Sequence, residues 1–299
     1  LLSTSRELWF STNRRQVVQV ARGPGGQLGT KTVVQLPGRL HRVARGMTDE
    51  ALLLCGERIG GKDGAPLLVE LLEGKAHVRW RDDELRAEEV RFVAWRDAEG
   101  RRCFALSCQR AIYRIALSLD GSEWARSRLD WPKSQVDDLG CLRKSGRLLV
   151  TGQATGLPGL AYYDLKTGEK LELTTVLSPA KQPVEAPDGD VIVGARTGHV
   201  AKYRPDGRYS FFFDPASGAL LPPHSRGVSL LEASDDGLLF TVAAIGRDSS
   251  EICVWDLHTK ELKQRLALRQ LVGRVVWDRT LKGLWVGLPG RLRLLQRLP

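Results

Sequence analysis

Arginine carries most of the chemically versatile charge in this chain, supplying 33 of 45 basic residues against 35 acids. A guanidinium presents a planar fork of donors matched to carboxylate and phosphate oxygens, whereas lysine acts more as a point charge. A genome of high GC content would give the same excess, so placement says more than number. Arg14, Arg15, Arg58, Arg110, Arg196, Arg247 and Arg291 recur between apolar runs. Gathered on one surface, they would focus a positive field and suit an anionic partner: an acidic peptide, a phosphorylated segment or a nucleic-acid backbone. The charge is also uneven. From Leu262 onward there are nine bases and one acid, Asp278, so most of the formal net charge of +10 sits there.

Other reactive groups form no recognisable constellation. His41, His77, His199, His224 and His258 are isolated in sequence, with no HxH, HExxH or Cys/His spacing, so no metal or cofactor is predicted. Gly60-Gly61-Lys62-Asp63-Gly64 lacks the GxxxxGK spacing of a phosphate loop and reads as a surface loop. The five cysteines, Cys55, Cys103, Cys108, Cys141 and Cys253, include no CxxC pair and sit in or beside strand-like runs. They read as reduced core thiols, which points to a cytoplasmic protein. The opening LLSTSRELWF lacks the charged and apolar regions of a secretory signal, and no apolar run approaches the roughly 18–20 residues that span a bilayer.

The elements that position these residues repeat. Leu8-Trp9-Phe10, Leu52-Leu53-Leu54, Phe104-Ala105-Leu106, Leu148-Leu149-Val150, Val191-Ile192-Val193, Leu238-Leu239-Phe240 and Leu284-Trp285-Val286 start 44, 52, 44, 43, 47 and 46 residues apart. A strand-built period of about 40–50 residues indicates stacked blades of a β-propeller. The unit is most complete over 228–266. There, Val228-Ser229-Leu230-Leu231 is an inner strand and Ser234-Asp235-Asp236-Gly237 a turn, followed by an apolar strand from Leu238. A polar loop, a strand through Trp255 and an outer strand including Leu262 complete it.

Two segments, ICVWDLHTKEL (252–262) and LAYYDLKTGEKLEL (160–173), resemble the third strand and hairpin of a WD-type repeat. The resemblance is specific in two of seven units. Elsewhere the hairpin survives without the dipeptide, and no regular Gly-His pair precedes the second strand. A divergent WD-repeat-like propeller is the expectation, with quinoprotein-like and tachylectin-like propellers as alternatives. Asp256 and Asp164 are read as turn-forming acceptors of backbone N–H groups, not catalytic acids. Ser118-Leu119-Asp120-Gly121-Ser122-Glu123-Trp124 resembles a single Asp-box turn, and Trp277-Asp278 falls in a first strand.

The predicted fold is all-β, a seven-bladed propeller of four-stranded antiparallel blades forming a single domain over 1–299. The blades fall roughly at 1–37, 38–85, 86–134, 135–180, 181–226, 227–270 and 271–299. The last unit shows three strands, and the first keeps only Leu1-Leu2 where an inner strand belongs. Unpaired edges are aggregation templates, so the two termini are expected to adjoin and complete one another. In such a fold the loops between second and third strands emerge beside the connections between blades. Six of the seven loops hold Arg, and Arg39, Arg42, Arg226, Arg269 and Arg274 join them, with Asp82, Asp83 and Glu84 to one side.

The function expected is a non-enzymatic scaffold holding an acidic peptide or partner protein on this Arg-rich face, within a larger assembly. The WD-type resemblance implies the same role. A propeller hydrolase or lyase with its site at the channel mouth, and a nucleic-acid-binding scaffold, are the alternatives. High Arg with one Met gives a bacterial impression.

Overall fold

A computed structural model of the chain describes residues 2–3, 7–13, 15–23, 27–45, 51–59, 62–72, 75–86, 91–108, 111–129, 131, 136–142, 146–154, 157–172, 183–216, 222 and 224–296. These fall into two compact units, 1–133 and 134–299.

The first unit holds three antiparallel meanders. Sheet 1 is β1 (Leu2–Ser3), β2 (Glu7–Asn13), β3 (Gln16–Arg22) and β4 (Leu28–Gln35). Sheet 2 is β5 (Arg39–Arg45), β6 (Ala51–Ile59), β7 (Lys62–Leu72) and β8 (Lys75–Arg81). Sheet 3 is β9 (Arg91–Arg96), β10 (Arg102–Cys108), β11 (Ala111–Leu117) and β12 (Trp124–Leu129).

The second unit holds four. Sheet 4 is β13 (Val136–Leu142), β14 (Arg147–Ala154), β15 (Leu157–Asp164) and β16 (Lys170–Glu172). Sheet 5 is β17 (Val184–Glu185), β18 (Val191–Gly194), β19 (Val200–Tyr203) and β20 (Tyr209–Phe211). Sheet 6 is β21 (Val228–Ala233), β22 (Leu238–Ala244), β23 (Ser250–Asp256) and β24 (Leu262–Leu268). Sheet 7 is β25 (Arg274–Asp278), β26 (Gly283–Leu288) and β27 (Arg291–Leu295).

Each of the seven apolar segments is the second strand of its sheet. The expected seven four-stranded blades are corrected to six complete ones, because sheet 7 has three strands among the described residues. The expected lack of an inner strand in the first blade is also corrected. Sheet 1 makes its own inner strand, with Leu2 opposite Trp9 and Ser3 opposite Leu8, and β27 pairs with β26. The Gly-rich stretch at 60–64 is shorter as a loop than expected, since β7 begins at Lys62, opposite Ile59.

Burial explains the strand chemistry. A middle strand such as β23 is buried from Ser250 to Trp255, which requires apolar or fully bonded side chains on both faces, while the outer β24 alternates with period two. First strands of successive sheets lie side by side, β1, β5 and β9 in one unit and β13, β17, β21 and β25 in the other. Their sheets pack face to face, with Phe240 of β22 stacked on Trp277 of β25 at 5.5 Å between ring centroids. Cys55, Cys103, Cys108 and Cys253 are buried and stand as thiols, in no disulfide.

Turn acids are acceptors. Asp256 Oδ1 takes the N–H groups of His258 and Thr259, and Asp164 Oδ1 those of Lys166 and Thr167. Asp120 is held likewise by Ser118 and Ser122. In the first unit, sheets 2 and 3 are joined by ions: Glu70 accepts from Arg79 and from Arg102, both at 2.7 Å, and Asp82 accepts from Arg126 at 2.7 Å.

Leu149 is fully buried, so Leu149→Asp, which places an unpaired charge between two sheets, is expected to cost more than about 4 kcal/mol and abolish cooperative urea unfolding. Burial pushes the Glu70 carboxyl up, but hydrogen bonds from Arg102 and Arg79 outweigh it and hold the group below the usual carboxylate range. A carboxyl so depressed stabilises the fold above its unfolded pKa of about 4.3, and this is lost as pH falls through the lower folded value. Glu70→Gln is expected to cost about 1–3 kcal/mol at pH 7. The gap from wild type should close as pH drops below about 4 in urea titrations.

Candidate functional site

Because strands alternate in direction, second-to-third turns and the connections between sheets leave each unit at the same end. In the second unit, hydrogen bonds join them: Val228 N–H to Ala195 O at 2.9 Å, Val272 N–H to Ser250 Oγ at 3.0 Å, and Gly273 N–H to Gly287 O at 2.9 Å. Five stretches therefore share this end, 195–199, 224–227, 245–249, 269–273 and 288–291. Each carries one exposed arginine, Arg196, Arg226, Arg247, Arg269 or Arg291, and the only acid in all five is Asp248.

The opposite end, made by 165–169, 186–190, 204–208, 234–237, 257–261 and 279–282, is mixed in charge. Arg208 bonds Asp206, Lys202 bonds Asp188, and Arg279 and Lys282 lie against Asp235. Arg226, Arg247 and Arg269 have no hydrogen-bond or ion-pair partner among the described residues. Acids are thus frequent at one end of these sheets and scarce at the other.

Of the residues singled out from sequence, Arg196, Arg247 and Arg291 stand at corresponding turns of sheets 5, 6 and 7. Arg15 occupies the turn between β2 and β3, its carbonyl accepting Leu36 N–H. Arg58 lies within β6 opposite Asp63, and not in a loop. Arg14 and Arg110 lie outside the described residues. Arg39 and Arg42 are in β5, and Arg274 opens β25. The acids at 82–84 are already engaged, Asp82 and Glu84 by Arg126 and Asp83 by Arg81.

Sequence reading missed the cluster beneath this end. His224 is wholly buried, with Nδ1 2.7 Å from Glu251 Oε1 and Nε2 2.6 Å from Thr241 Oγ1. Trp255 Nε1–H donates to the same hydroxyl at 2.8 Å. Indole only donates and a carboxylate only accepts. A neutral imidazole therefore closes the chain one way: Trp255 donates to Thr241, Thr241 to His224 Nε2, and His224 Nδ1–H to Glu251. Arg265 donates to Glu251 Oε2 at 2.5 Å and to Asp214 at 3.2 Å. Burial pushes the Glu251 carboxyl up, yet the bonds from His224 and Arg265 prevail and hold it low.

A hydroxyl, imidazole and carboxylate in line is the arrangement that activates a nucleophile. Here Thr241 and His224 have no exposed surface for a substrate to reach. His224, Glu251 and Cys253 also bring ligand atoms within 4.8 Å of one another. The imidazole nitrogen facing Glu251 is committed to it, Arg265 occupies that carboxylate, and burial pushes the Cys253 thiol well above its ordinary range. The cluster is a satisfied polar core, and its sequence signal was the alternation of Glu251, Cys253 and Trp255 on one face of β23.

This core anchors the arginine end. His224 opens the stretch 224–227, which lies directly on the turn 195–199: Gly198 has φ +89°, and a Cβ there would stand 2.1 Å from His224 O. Only glycine fits that backbone conformation and that space.

No protein-family model matches the sequence, and no curated protein matches it either. Solved structures do. Hydrazine synthase of Kuenenia stuttgartiensis is similar with TM-score 0.66 and 11% identity, over 98% of this chain and 92% of that one. The Dos1 propeller matches with TM-score 0.65 and 12% identity, over 97% and 75%. The WD40 β-propeller domain of Doa1 matches with TM-score 0.65 and 13% identity, over 100% and 95%. The fold is an all-β propeller of antiparallel four-stranded blades with WD40-type structural neighbours.

His224→Ala removes the donor to Glu251 Oε1 and the acceptor for the Thr241 hydroxyl proton, leaving Glu251 only Arg265 and Thr241 only Trp255 among the described residues. It is expected to lower stability by about 3 kcal/mol in urea unfolding and to speed amide exchange in 195–199 and 224–228. Unchanged exchange there would separate the cluster from the arginine end.

Proposed function

We propose that this chain is a non-enzymatic protein-interaction scaffold that holds an acidic partner protein or peptide on its arginine-bearing end, as one component of a larger assembly. The observation that carries this reading is the segregation of charge. Arg226, Arg247 and Arg269 are exposed and unpartnered at one end of the second unit, where Asp248 is the only acid in the five stretches described, while at the other end acids are frequent and Arg208, Lys202 and Arg279 lie against them. An unpaired guanidinium costs little to strip of loosely held water and gains charge-assisted bonds when a carboxylate arrives. Four buried cysteines that stand as thiols support a reducing compartment such as the cytoplasm.

Affinity isolation from the native host tests this reading, comparing wild type with the Arg226→Glu/Arg247→Glu variant. The variant is expected to lose its co-purifying protein, with affinity down about tenfold or more, while Lys166→Glu at the opposite end retains it. Equal recovery by all three would remove the arginine end from consideration. Recovery of nucleic acid, with affinity falling steeply as salt rises, would favour a phosphate backbone instead.

A further inference from the structure

We propose that the turn 245–249 and the connection 269–273 form a docking subsite for a short acidic segment of the partner, anchored by an aliphatic side chain. This subsite presupposes the scaffold role and narrows it to one place and one ligand chemistry.

Two kinds of group meet there. Ile245 and Leu271 are 38% and 42% exposed, large apolar side chains set in loops. The second unit's other exposed large apolar residues, Leu171 and Tyr209, stand in the outer strands β16 and β20. Beside them are Arg247 and Arg269, both unpartnered, and Arg291, which donates to Gln270. A ligand offering only charge would leave Ile245 and Leu271 in water, and a purely apolar one would leave the guanidinium groups unmatched. A segment with an aliphatic residue flanked by carboxylates satisfies both.

The loops are held before any ligand arrives. Ile245 N–H bonds Ser249 O at 3.1 Å, the next residue's Oγ accepts Val272 N–H, and Gly273 N–H bonds Gly287 O. The turn beyond, Pro289-Gly290, has Gly290 at φ +71°, as a type II turn requires after proline. Side chains presented on a tied backbone lose less conformational freedom on binding than those on a loose loop. The stretches 245–249, 269–273 and 288–291 contain no Phe, Tyr or Trp to stack on a base, which favours a peptide over single-stranded nucleic acid.

Panning a phage-displayed library of random dodecapeptides on the whole chain, at about 0.1 M salt to limit long-range attraction, supplies the probes. Enriched peptides are expected to carry net negative charge and a Leu, Ile or Val. Their Kd, read by fluorescence anisotropy, should rise about tenfold or more for Leu271→Ser/Arg269→Glu and less than about twofold for Lys166→Glu, an equal change of charge at the opposite end. Both substituted side chains are exposed, and an unchanged urea midpoint confirms the variant is folded.

Peptides without the acidic and aliphatic combination, or with a Kd indifferent to Leu271→Ser/Arg269→Glu, would overturn the subsite. If their binding falls instead in Arg226→Glu/Arg247→Glu, the scaffold reading stands while the subsite fails. If no peptide is enriched, the subsite is overturned, and the isolation from the native host decides the scaffold role separately. A labelled single-stranded oligodeoxynucleotide that binds more tightly than any peptide, and is weakened by the same variant, would also overturn it.

Discussion

Second strands such as β18, with every residue from Val191 to Gly194 buried, cannot be left with a bare face. Covering both faces of such a strand removes on the order of 1.5–3 kcal/mol worth of apolar side chain from water per large residue. It also forces sheets to stack, and so places the first strands of successive sheets side by side within each unit. Everything else follows from that stacking. Once the strands run in alternating directions through stacked sheets, their connections sort into two ends, and residues far apart in sequence come to share a surface.

The two ends then diverge in chemistry. At one, acids are consumed by turn geometry: Asp164 and Asp256 each accept two backbone N–H groups, which holds their carboxyls below the usual range. Several bases there, Arg208, Lys263 and Arg279 among them, lie against acids. At the other end, turns such as 245–249 close by backbone bonds and need no acid, and Arg226, Arg247 and Arg269 have no ion-pair partner among the described residues. The buried bond chain from Trp255 through Thr241 and His224 to Glu251 holds this end to the sheet below. A half-satisfied version would cost more than an apolar core, so the anchoring depends on all members together.

Much of the fold was legible because it is local and periodic. Each apolar triplet marked a second strand, and the pairs Asp206-Gly207 and Asp236-Gly237 announced turns through the positive φ their glycines adopt. What could not be read was long-range. Nothing near His224 in sequence tells that Thr241, Glu251 and Arg265 will surround it, because strand pairing and packing bring them together only after the sheet is built. Arg58 was misplaced because β6 runs to Ile59, past the predicted loop boundary. The inner strand of sheet 1 was missed because Leu2–Ser3 is too short to show a period. That Arg247 would stand in a turn was legible, but that no acid would pair with it was not, since that depends on where the acids finally point.

The central claim is that a partner settles on the arginine end. Hydrogen-exchange mass spectrometry of the isolated complex against the free protein measures this directly. Slowed exchange confined to 195–199, 224–227, 245–249 and 269–273 is the predicted result. Slowed exchange at 204–208, 234–237 and 257–261, with these stretches unchanged, would contradict it.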